Sequence, residues 1–500
     1  MKDFSLKSNS INSWDRILIV VFWLIVASMG GLFVATQPLE IIIIAASIIV
    51  FTILAAITPL AAVTVLLVLA PMRTLIATEA SFQLPLDIGQ IALIGLTIAW
   101  FSQRIARQES VVQTFRNPVT LVIVMYLVVV GFTAFSSTSL SAWLNEWIKW
   151  LQILLLITFG LNYGRERRWE WLLFALTTSA VANALVGIYE FFGGSGALHL
   201  LINDKYFRAF GTFGQPNPFG GFMGLVAPIT LMAALGYGNR CWKQWKVKHQ
   251  LSAGQCELFW MLFYSATTIV ILSGIVMSWS RGAWIGLVGA FLFVALALPR
   301  NTWRGIVLFV AILGVVVLLW FTGIVPASVI NRLSTSTQEF FAFEDVRGID
   351  ITPENYAVAE RLAHWQAAIN MFTDNTWLGV GLGNYEVVYP KFRLINWQES
   401  LGHAHNYYLN LLAEGGIIGL LAYGKVWIVI ILLCWRGRSH PDMLARCIII
   451  GLIGSLVYLA IHSFFDNLYV NNLFLHIGLM FGMVAVLYNQ SRDFIRLGNS

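Results

Sequence analysis

The stretch "EIIIIAASIIVFTILAAI", residues 40–57, is an apolar run whose single charged residue stands at its first position. A helix needs about 20 residues to cross the hydrocarbon core of a bilayer, so this run predicts a membrane-spanning helix. The composition of the whole chain agrees, because 58% of its 500 residues are hydrophobic and only 11% are charged. Soluble domains carry about 25% charged residues. A soluble globular protein is therefore excluded.

Apolar runs of similar length recur along the chain and predict an all-α integral membrane protein with about 12 to 14 transmembrane helices. The run 60–71, bracketed by Pro59 and Pro71, is the weakest and is also compatible with a re-entrant half helix. No small-residue cleavage signature follows the first run, so we expect a retained helix there. The predicted spans are 17–35, 40–57, 60–71, 86–101, 118–135, 147–163, 170–192, 219–236, 258–277, 283–298, 305–323, 416–435, 446–464 and 473–488.

The basic residues orient this bundle, because cytoplasmic loops of membrane proteins collect Lys and Arg. With the amino terminus inside, the segments predicted to be cytoplasmic hold 20 of the 31 basic residues. We therefore expect a multi-pass protein with both termini cytoplasmic. Topology alone explains the basic balance, so no nucleic-acid partner is expected. The short outer loops hold only Arg73, Lys149, Lys205, Arg208 and Arg281.

The spans divide the chain into N-terminal transmembrane helices (1–323), a large outer loop (324–404) and C-terminal transmembrane helices (405–490). Loops as long as 324–404 are usually functional. Within it, "PENYAVAERLAHWQAAINMF" (353–372) has helical periodicity, and the Gly-rich turn "LGVGLGNYE" (378–386) follows. We expect a lid of one or two short helices over the outer membrane face.

Two arginines stand on the predicted outer face, where basic residues are scarce. Arg208 lies in "YFRAFGTFGQPNPFGGF" (206–222), and Arg281 lies in "SWSRGAWIG" (278–286). A single such arginine is compatible with snorkelling to the interface or with an internal ion pair. Two beside Gly-rich turns favour anion binding, because guanidinium groups bind phosphate oxygens bidentately and glycines let backbone N–H groups approach the same anion.

The stretch "HAHNYYLNLLAEGGIIGL" (403–420) begins with two histidines where the outer loop re-enters the membrane. Two histidines two residues apart cannot both bind one metal ion from a helix. An extended pair could, but no cysteine or carboxylate cluster with ligand spacing accompanies them, so we expect no metal. A neutral imidazole suits the deprotonation of a hydroxyl. A histidine hydrogen-bonded at a helix start is the structural alternative.

If the same stretch forms a helix, a polar stripe lies beside His405. Its members are Asn406, Asn410 and Glu414, which follow one another at intervals of four residues. A polar stripe at the outer rim of a bundle would be unsatisfied if it faced lipid. We therefore expect these side chains to line a cavity.

These motifs together resemble the O-antigen ligase/polymerase superfamily of multi-spanning bacterial membrane proteins. The resemblance is carried by "RAFGTFGQPNPFGGFM" (208–223), "SWSRGAWIG", "ERLAHWQAAINMFTDNTWLGVGLGNY" (360–385) and "HAHNYYLNLLAEGGIIGL". It covers mainly the region from about 200 to 425, in order and spacing. The first seven helices match only in being helices.

The resemblance implies a lipid-linked glycan transferase of the bacterial inner membrane with a large periplasmic loop. It implies that His405 is the catalytic histidine and that Arg208 and Arg281 bind the undecaprenyl diphosphate of the glycan donor. Asn217, Asn406, Asn410 and Glu414 would support them, and His403, outside the pattern, would be an incidental neighbour. The acceptor would be a hydroxyl of a lipid core, a glycan or a protein, and the inverting transfer would need no metal or cofactor.

A polysaccharide polymerase and an anion transporter are the alternative functions, because some relatives are labelled putative bicarbonate transporters. A transporter is expected to keep its ionisable residues near mid-membrane. Here His405 and both arginines fall at the outer ends of spans, which favours chemistry on a lipid-borne substrate. Lys425, near the middle of the span 416–435, is the exception.

Overall fold

The structure, a computed structural model, confirms the predicted all-α membrane fold. It describes residues 21, 28–29, 35–79, 87–109, 115–194, 200–202, 205–248, 255–325, 327, 329–330, 345–348, 350–352 and 355–498. Among these residues, 12 helices are long and apolar enough to cross a membrane, and Arg281–Ala297 is a shorter apolar helix. Apart from single positions and one pair, the first predicted span, 17–35, lies outside the described residues.

The helices follow one another with short connections. They are Leu39–Ile57 (α1), Pro59–Leu69 (α2), Arg73–Glu79 (α3), Ile88–Ala106 (α4), Pro118–Gly131 (α5), Leu140–Tyr163 (α6), Trp169–Tyr189 (α7), Pro216–Lys248 (α8), Gln255–Met277 (α9), Arg281–Ala297 (α10), Thr302–Phe321 (α11), Tyr356–Asp374 (α12), Tyr385–Phe392 (α13), Tyr407–Gly437 (α14), Met443–His462 (α15) and Leu473–Gly498 (α16). Two short strands, Leu201–Ile202 (β1) and Tyr206–Phe207 (β2), pair antiparallel.

The run 60–71, which was also compatible with a half helix, is part of a full-length span. Helix α2 passes through a 3-10 turn at Ala70–Met72 directly into α3. Together Pro59–Thr78 form 20 residues with the hydropathy of a membrane span. Pro71 falls in the 3-10 turn, where its missing N–H costs little, so it bends the segment without ending it.

The centre of the bundle is formed by α8, α15 and α16, most of whose residues are buried, whereas α1 and α11 are largely exposed. Small residues allow the central helices to pack closely. A Cβ atom on Gly160 of α6 would lie 2.9 Å from the Cα of Gly482 in α16. In the same way, Gly224 of α8 accommodates the Tyr458 ring of α15, at 2.0 Å from such an atom.

The predicted lid is present as α12 and α13, within the described residues 355–404, and we call this segment the lid. It docks on α14, which is broken at Gly416 (φ 60°, ψ −165°). The lid carbonyl of Thr376 accepts a hydrogen bond from the Ile417 N–H at 2.9 Å. A Cβ on Gly416 would lie 2.3 Å from the carbonyl oxygen of Trp377, so only glycine fits the break. The first turns of α14 therefore belong structurally to the lid.

Candidate active site

His405 lies just before α14, so the prediction that it belongs to the helix is wrong. The helix begins at Tyr407, and His405 has a left-handed backbone (φ 52°). The physical reason is Asn406, whose side-chain oxygen accepts hydrogen bonds from the N–H groups of Tyr408 (3.0 Å) and Leu409 (3.2 Å). Such an N-cap residue ends the non-helical chain before it. His405 is thereby presented on a tight turn.

The other polar residues of the stripe are buried and bonded to backbone groups, so they build the site and do not line an open cavity. Asn410 accepts a hydrogen bond from the Ala404 N–H at 3.1 Å, which holds the turn that carries His405. Glu414 accepts one from the Tyr385 N–H at 3.0 Å, at the start of α13. Facing lipid would have left these groups unsatisfied, and the lid satisfies them instead.

His403, His405 and Asp466 form a cluster, which we call the histidine cluster. The His405 N–H donates to His403 Nδ1 at 3.0 Å, and the two rings are 4.6 Å apart. Asp466 Oδ1 lies 3.6 Å from His403 Nε2 and 3.9 Å from His405 Nδ1. The histidine that the sequence pattern treated as incidental is thus in direct contact with the candidate catalytic one.

The electrostatics of the cluster keep His405 neutral. Both of its ring nitrogens are buried, and neither has a hydrogen-bond partner in the part of the chain that the structure describes. Burial lowers the pKa of His405 to about 3; His403 acts in the same direction, and Asp466 opposes the shift. Burial alone would raise the pKa of Asp466, but His403 and His405 hold it below its usual value. At neutral pH the cluster therefore pairs an uncharged imidazole with a carboxylate.

The same three residues have the composition of a metal site, because their ligand atoms all lie within 4.8 Å of one another. The bond pattern argues against this use. His403 Nδ1 accepts a hydrogen bond from a backbone N–H, so the proton of the neutral ring resides on Nε2, the atom that faces Asp466. A metal would need a free lone pair there. The arrangement fits a carboxylate that orients two imidazoles.

Arg208 and Arg281 are brought to one place, at Asn217 near the start of α8. Arg208 Nε donates to the Ser278 carbonyl at 3.2 Å, and its Nη2 lies 3.5 Å from Asn217 Oδ1. The Ser280 hydroxyl donates to the same Asn217 oxygen at 3.0 Å. Arg281 follows Ser280 directly and begins α10. The loop of Arg208 and the turn of Arg281 therefore share Asn217 as a bridge.

The loop that carries Arg208 is held by Glu190, at the end of α7. Glu190 Oε2 accepts hydrogen bonds from the N–H groups of Phe210 (2.8 Å) and Gly211 (2.7 Å). A carboxylate that accepts two backbone hydrogen bonds fixes the path of the chain between them. Arg208, two residues before Phe210, is consequently fixed in position by a second polar group besides Asn217.

A small cleft joins the arginines to the histidine cluster. Gly282, next to Arg281, packs against Phe465, since a Cβ on Gly282 would lie 2.9 Å from the Cβ of Phe465. Phe465 lines the cleft together with His405 and with Arg361 from lid helix α12. The site therefore combines the outer ends of α8, α10, α14 and α15 with the lid.

Arg361 and Asp466 are the residues that the sequence did not assign to the site. Arg361 lies within the helical lid motif, where an exposed cation is ordinary, so spacing gave no signal for it. Asp466 lies 61 positions after His405, on a connection between two spans. Its signal was its place at the outer end of a span, which did not by itself identify His405 as its neighbour.

Comparison with known families agrees with this geometry. Residues 266–424 match the family model described as O-Antigen ligase. The match includes Arg281, Arg361 and His405, whereas Arg208 and Asp466 lie outside it. A search of curated proteins gave no match.

Proposed function

We propose, because residues 266–424 place the chain in the O-antigen ligase superfamily, that the protein transfers a glycan from undecaprenyl diphosphate to an acceptor hydroxyl. The transfer would take place at the periplasmic face of a bacterial inner membrane, with both termini cytoplasmic. The observation that carries the proposal is His405, a buried neutral imidazole without a hydrogen-bond partner among the described residues, which opens on a cleft with Arg361. Buried polar groups are normally bonded, so an unbonded one at a cleft suits a substrate hydrogen bond.

In the proposed reaction the acceptor oxygen attacks the anomeric carbon while His405 accepts the hydroxyl proton. The bond from that carbon to the diphosphate oxygen breaks, the configuration inverts, and undecaprenyl diphosphate leaves with the electron pair. Asp466 stabilises the imidazolium that forms, because its carboxylate lies 3.9 Å from His405 Nδ1. Ligation to a lipid core, glycan polymerisation and protein glycosylation share this step.

Arg208 and Arg281 are proposed to bind the diphosphate and to stabilise the charge that develops on it. Arg361, on the lid, lines the cleft with His405 and supplies a further cation on the donor side. Asn217, Asn406, Asn410 and Glu414 are positioning residues in this proposal. Asn217 contacts Arg208, Asn406 and Asn410 hold the turn of His405, and Glu414 binds the lid.

The experiment that tests the proposed function uses purified protein in detergent with an undecaprenyl-diphosphate glycan and no ion gradient. The expected result is glycan transfer to an added acceptor, which a transporter could not perform. Lipid-core, glycan and peptide acceptors offered in separate reactions distinguish ligase, polymerase and protein glycosylation. Absence of transfer to every acceptor, together with gradient-dependent bicarbonate uptake into liposomes, would replace this proposal with the transporter.

A further inference from the structure

A second polar cavity lies at the end of the bundle opposite the histidine cluster. It has a volume of about 550 Å³ and opens where α5 begins and where α6 and α16 end. In the topology predicted from the basic residues, this is the cytoplasmic face. Its polar lining residues are Arg116, Asn117, Asn162, Arg165, Glu166, Asn489, Gln490, Arg492 and Asp493. The volume is within the range of ligand sites, about 300–1,000 Å³.

The charges of the cavity are only partly compensated within the protein. Arg492 Nε lies 3.8 Å from Asp493 Oδ1, so these two charges offset each other. The guanidinium groups of Arg116 and Arg165 have no hydrogen bond or ion pair with any described residue, and Glu166 is the remaining carboxylate. Two arginines thus stand against one acid, around a concave surface.

Neutral amides complete the lining and are held in fixed orientations. Asn117 is buried, caps α5 through the Val119 N–H at 2.9 Å and donates to Asn489 Oδ1 at 3.3 Å. Asn162 donates to the Thr158 carbonyl at 2.7 Å and accepts a bond from Arg104. The bond from Asn117 occupies the Asn489 oxygen, and the Asn489 amide N–H₂ has no partner among the described residues. Fixed amides beside two guanidinium groups are the donors that bind phosphate oxygens.

We propose that this cavity is a binding site for a phosphate group, held by Arg116 and Arg165 with amide donors beside them. Phosphate suits the site better than a simple carboxylate, because its three or more oxygens can accept hydrogen bonds from two separate arginines at once. The group can belong to an anionic phospholipid headgroup, since the cavity is at a membrane–water boundary, or to a free organic phosphate. The proposal does not depend on the transferase function.

The test measures the thermal unfolding of the full-length protein under two conditions. One arm titrates inorganic pyrophosphate in neutral detergent, and the other compares nanodiscs of phosphatidylcholine with nanodiscs that also contain phosphatidylglycerol. A ligand that binds the folded state raises the melting temperature. The Arg116→Gln/Arg165→Gln variant is compared with Arg436→Gln, which removes an exposed arginine at the same end of the bundle but outside the cavity.

We expect stabilisation in at least one arm and an apparent affinity about tenfold or more weaker in the double variant, because hydrogen bonds to charged groups are lost. The arm that responds identifies the source of the phosphate. Arg281→Gln serves as a further control, because pyrophosphate bound at the proposed donor site would respond to that change instead. Equal stabilisation of wild type and double variant, or stabilisation in neither arm, would overturn the proposal. If the double variant does not fold, unchanged affinity in both single variants overturns it.

Discussion

The two ends of the bundle treat buried polar groups in opposite ways. At one end Arg240 donates to both oxygens of Asp442 (2.8 and 3.0 Å) and lies 3.3 Å from Glu170, which also accepts the Tyr237 hydroxyl at 2.8 Å. At the other end His405 is buried with neither ring nitrogen bonded to any described residue. The first arrangement is complete and stabilises the fold. The second is incomplete, and an unbonded buried group is retained where a substrate supplies the missing partner.

The largest effect is expected for His405→Ala, which removes the proposed base. Transfer should fall about 100-fold or more, with the melting temperature nearly unchanged, because general-base catalysis contributes about 10²–10⁴ in rate and His405 makes no side-chain hydrogen bond to the described residues. The measurement is the initial rate of transfer with purified protein. His440→Ala, a buried histidine at the opposite end, is the matched control and should keep its activity. Equal losses in both variants would contradict the functional contrast.

Lysine substitutions of the arginines test the phosphate-binding role with charge retained. Arg208→Lys and Arg281→Lys should each lower kcat/KM by at least about tenfold, or roughly 1.4 kcal/mol, since lysine cannot reproduce the planar bidentate donor. We expect the same direction for Arg361→Lys. Arg304→Lys, an exposed position in α11, serves as the control and should be silent. Full activity of all three site variants would mean that charge alone is needed, as in snorkelling.

Replacement of Asp466 by Asn keeps the shape of the carboxylate and removes its charge. The imidazolium form of His405 then loses its neighbouring anion, so kcat should fall by about tenfold while KM for the donor changes little. A chelator should leave wild-type transfer unchanged, because the cluster is proposed to act without a metal. Activity lost to a chelator and restored by zinc would instead assign His403, His405 and Asp466 as ligands.

The smallest effect on activity is expected for Asp442→Asn, in the complete network at the other end. Loss of the ion pair with Arg240 should lower the free energy of unfolding by about 1–3 kcal/mol, because hydrogen bonds to a charged group are weakened. The Asn side chain still accepts the cap bond from the Ala445 N–H. Thermal unfolding and transfer rate, measured on the same sample, should therefore separate. A fall in kcat as large as that of Asp466→Asn would erase the contrast between the two ends.

Local patterns were enough to predict the membrane spans and the lid. Hydropathy located the long apolar helices, and helical periodicity located α12 within the lid. Proline and glycine positions were less decisive, because Pro71 bends a continuous span while Gly416 interrupts α14 inside an apparently uniform run. Both outcomes depend on which neighbouring segment supplies the missing backbone bonds, and a sequence alone does not show that.

The candidate site was predictable only in part, for a related reason. Arg208 and Arg281 are marked by charge on the predicted outer face, and the structure brings their segments together at Asn217. The turn of His405 depends on Asn406 acting as an N-cap, although the same residue could equally have continued the helix. Asp466 meets the histidines through the packing of distant spans, so no local spacing could place it.

The most direct test of the central claim is the ratio of wild-type to His405→Ala kcat/KM as a function of pH. The kcat/KM profile reports the pKa of groups in the free enzyme. Since burial lowers the pKa of His405 to about 3, the imidazole stays neutral well below pH 6.5. The ratio should therefore remain large and constant between about pH 5 and pH 8. A ratio that falls toward acid with a midpoint near about 6.5 would mean a solvated histidine, and a ratio of about one would mean that His405 is not the base.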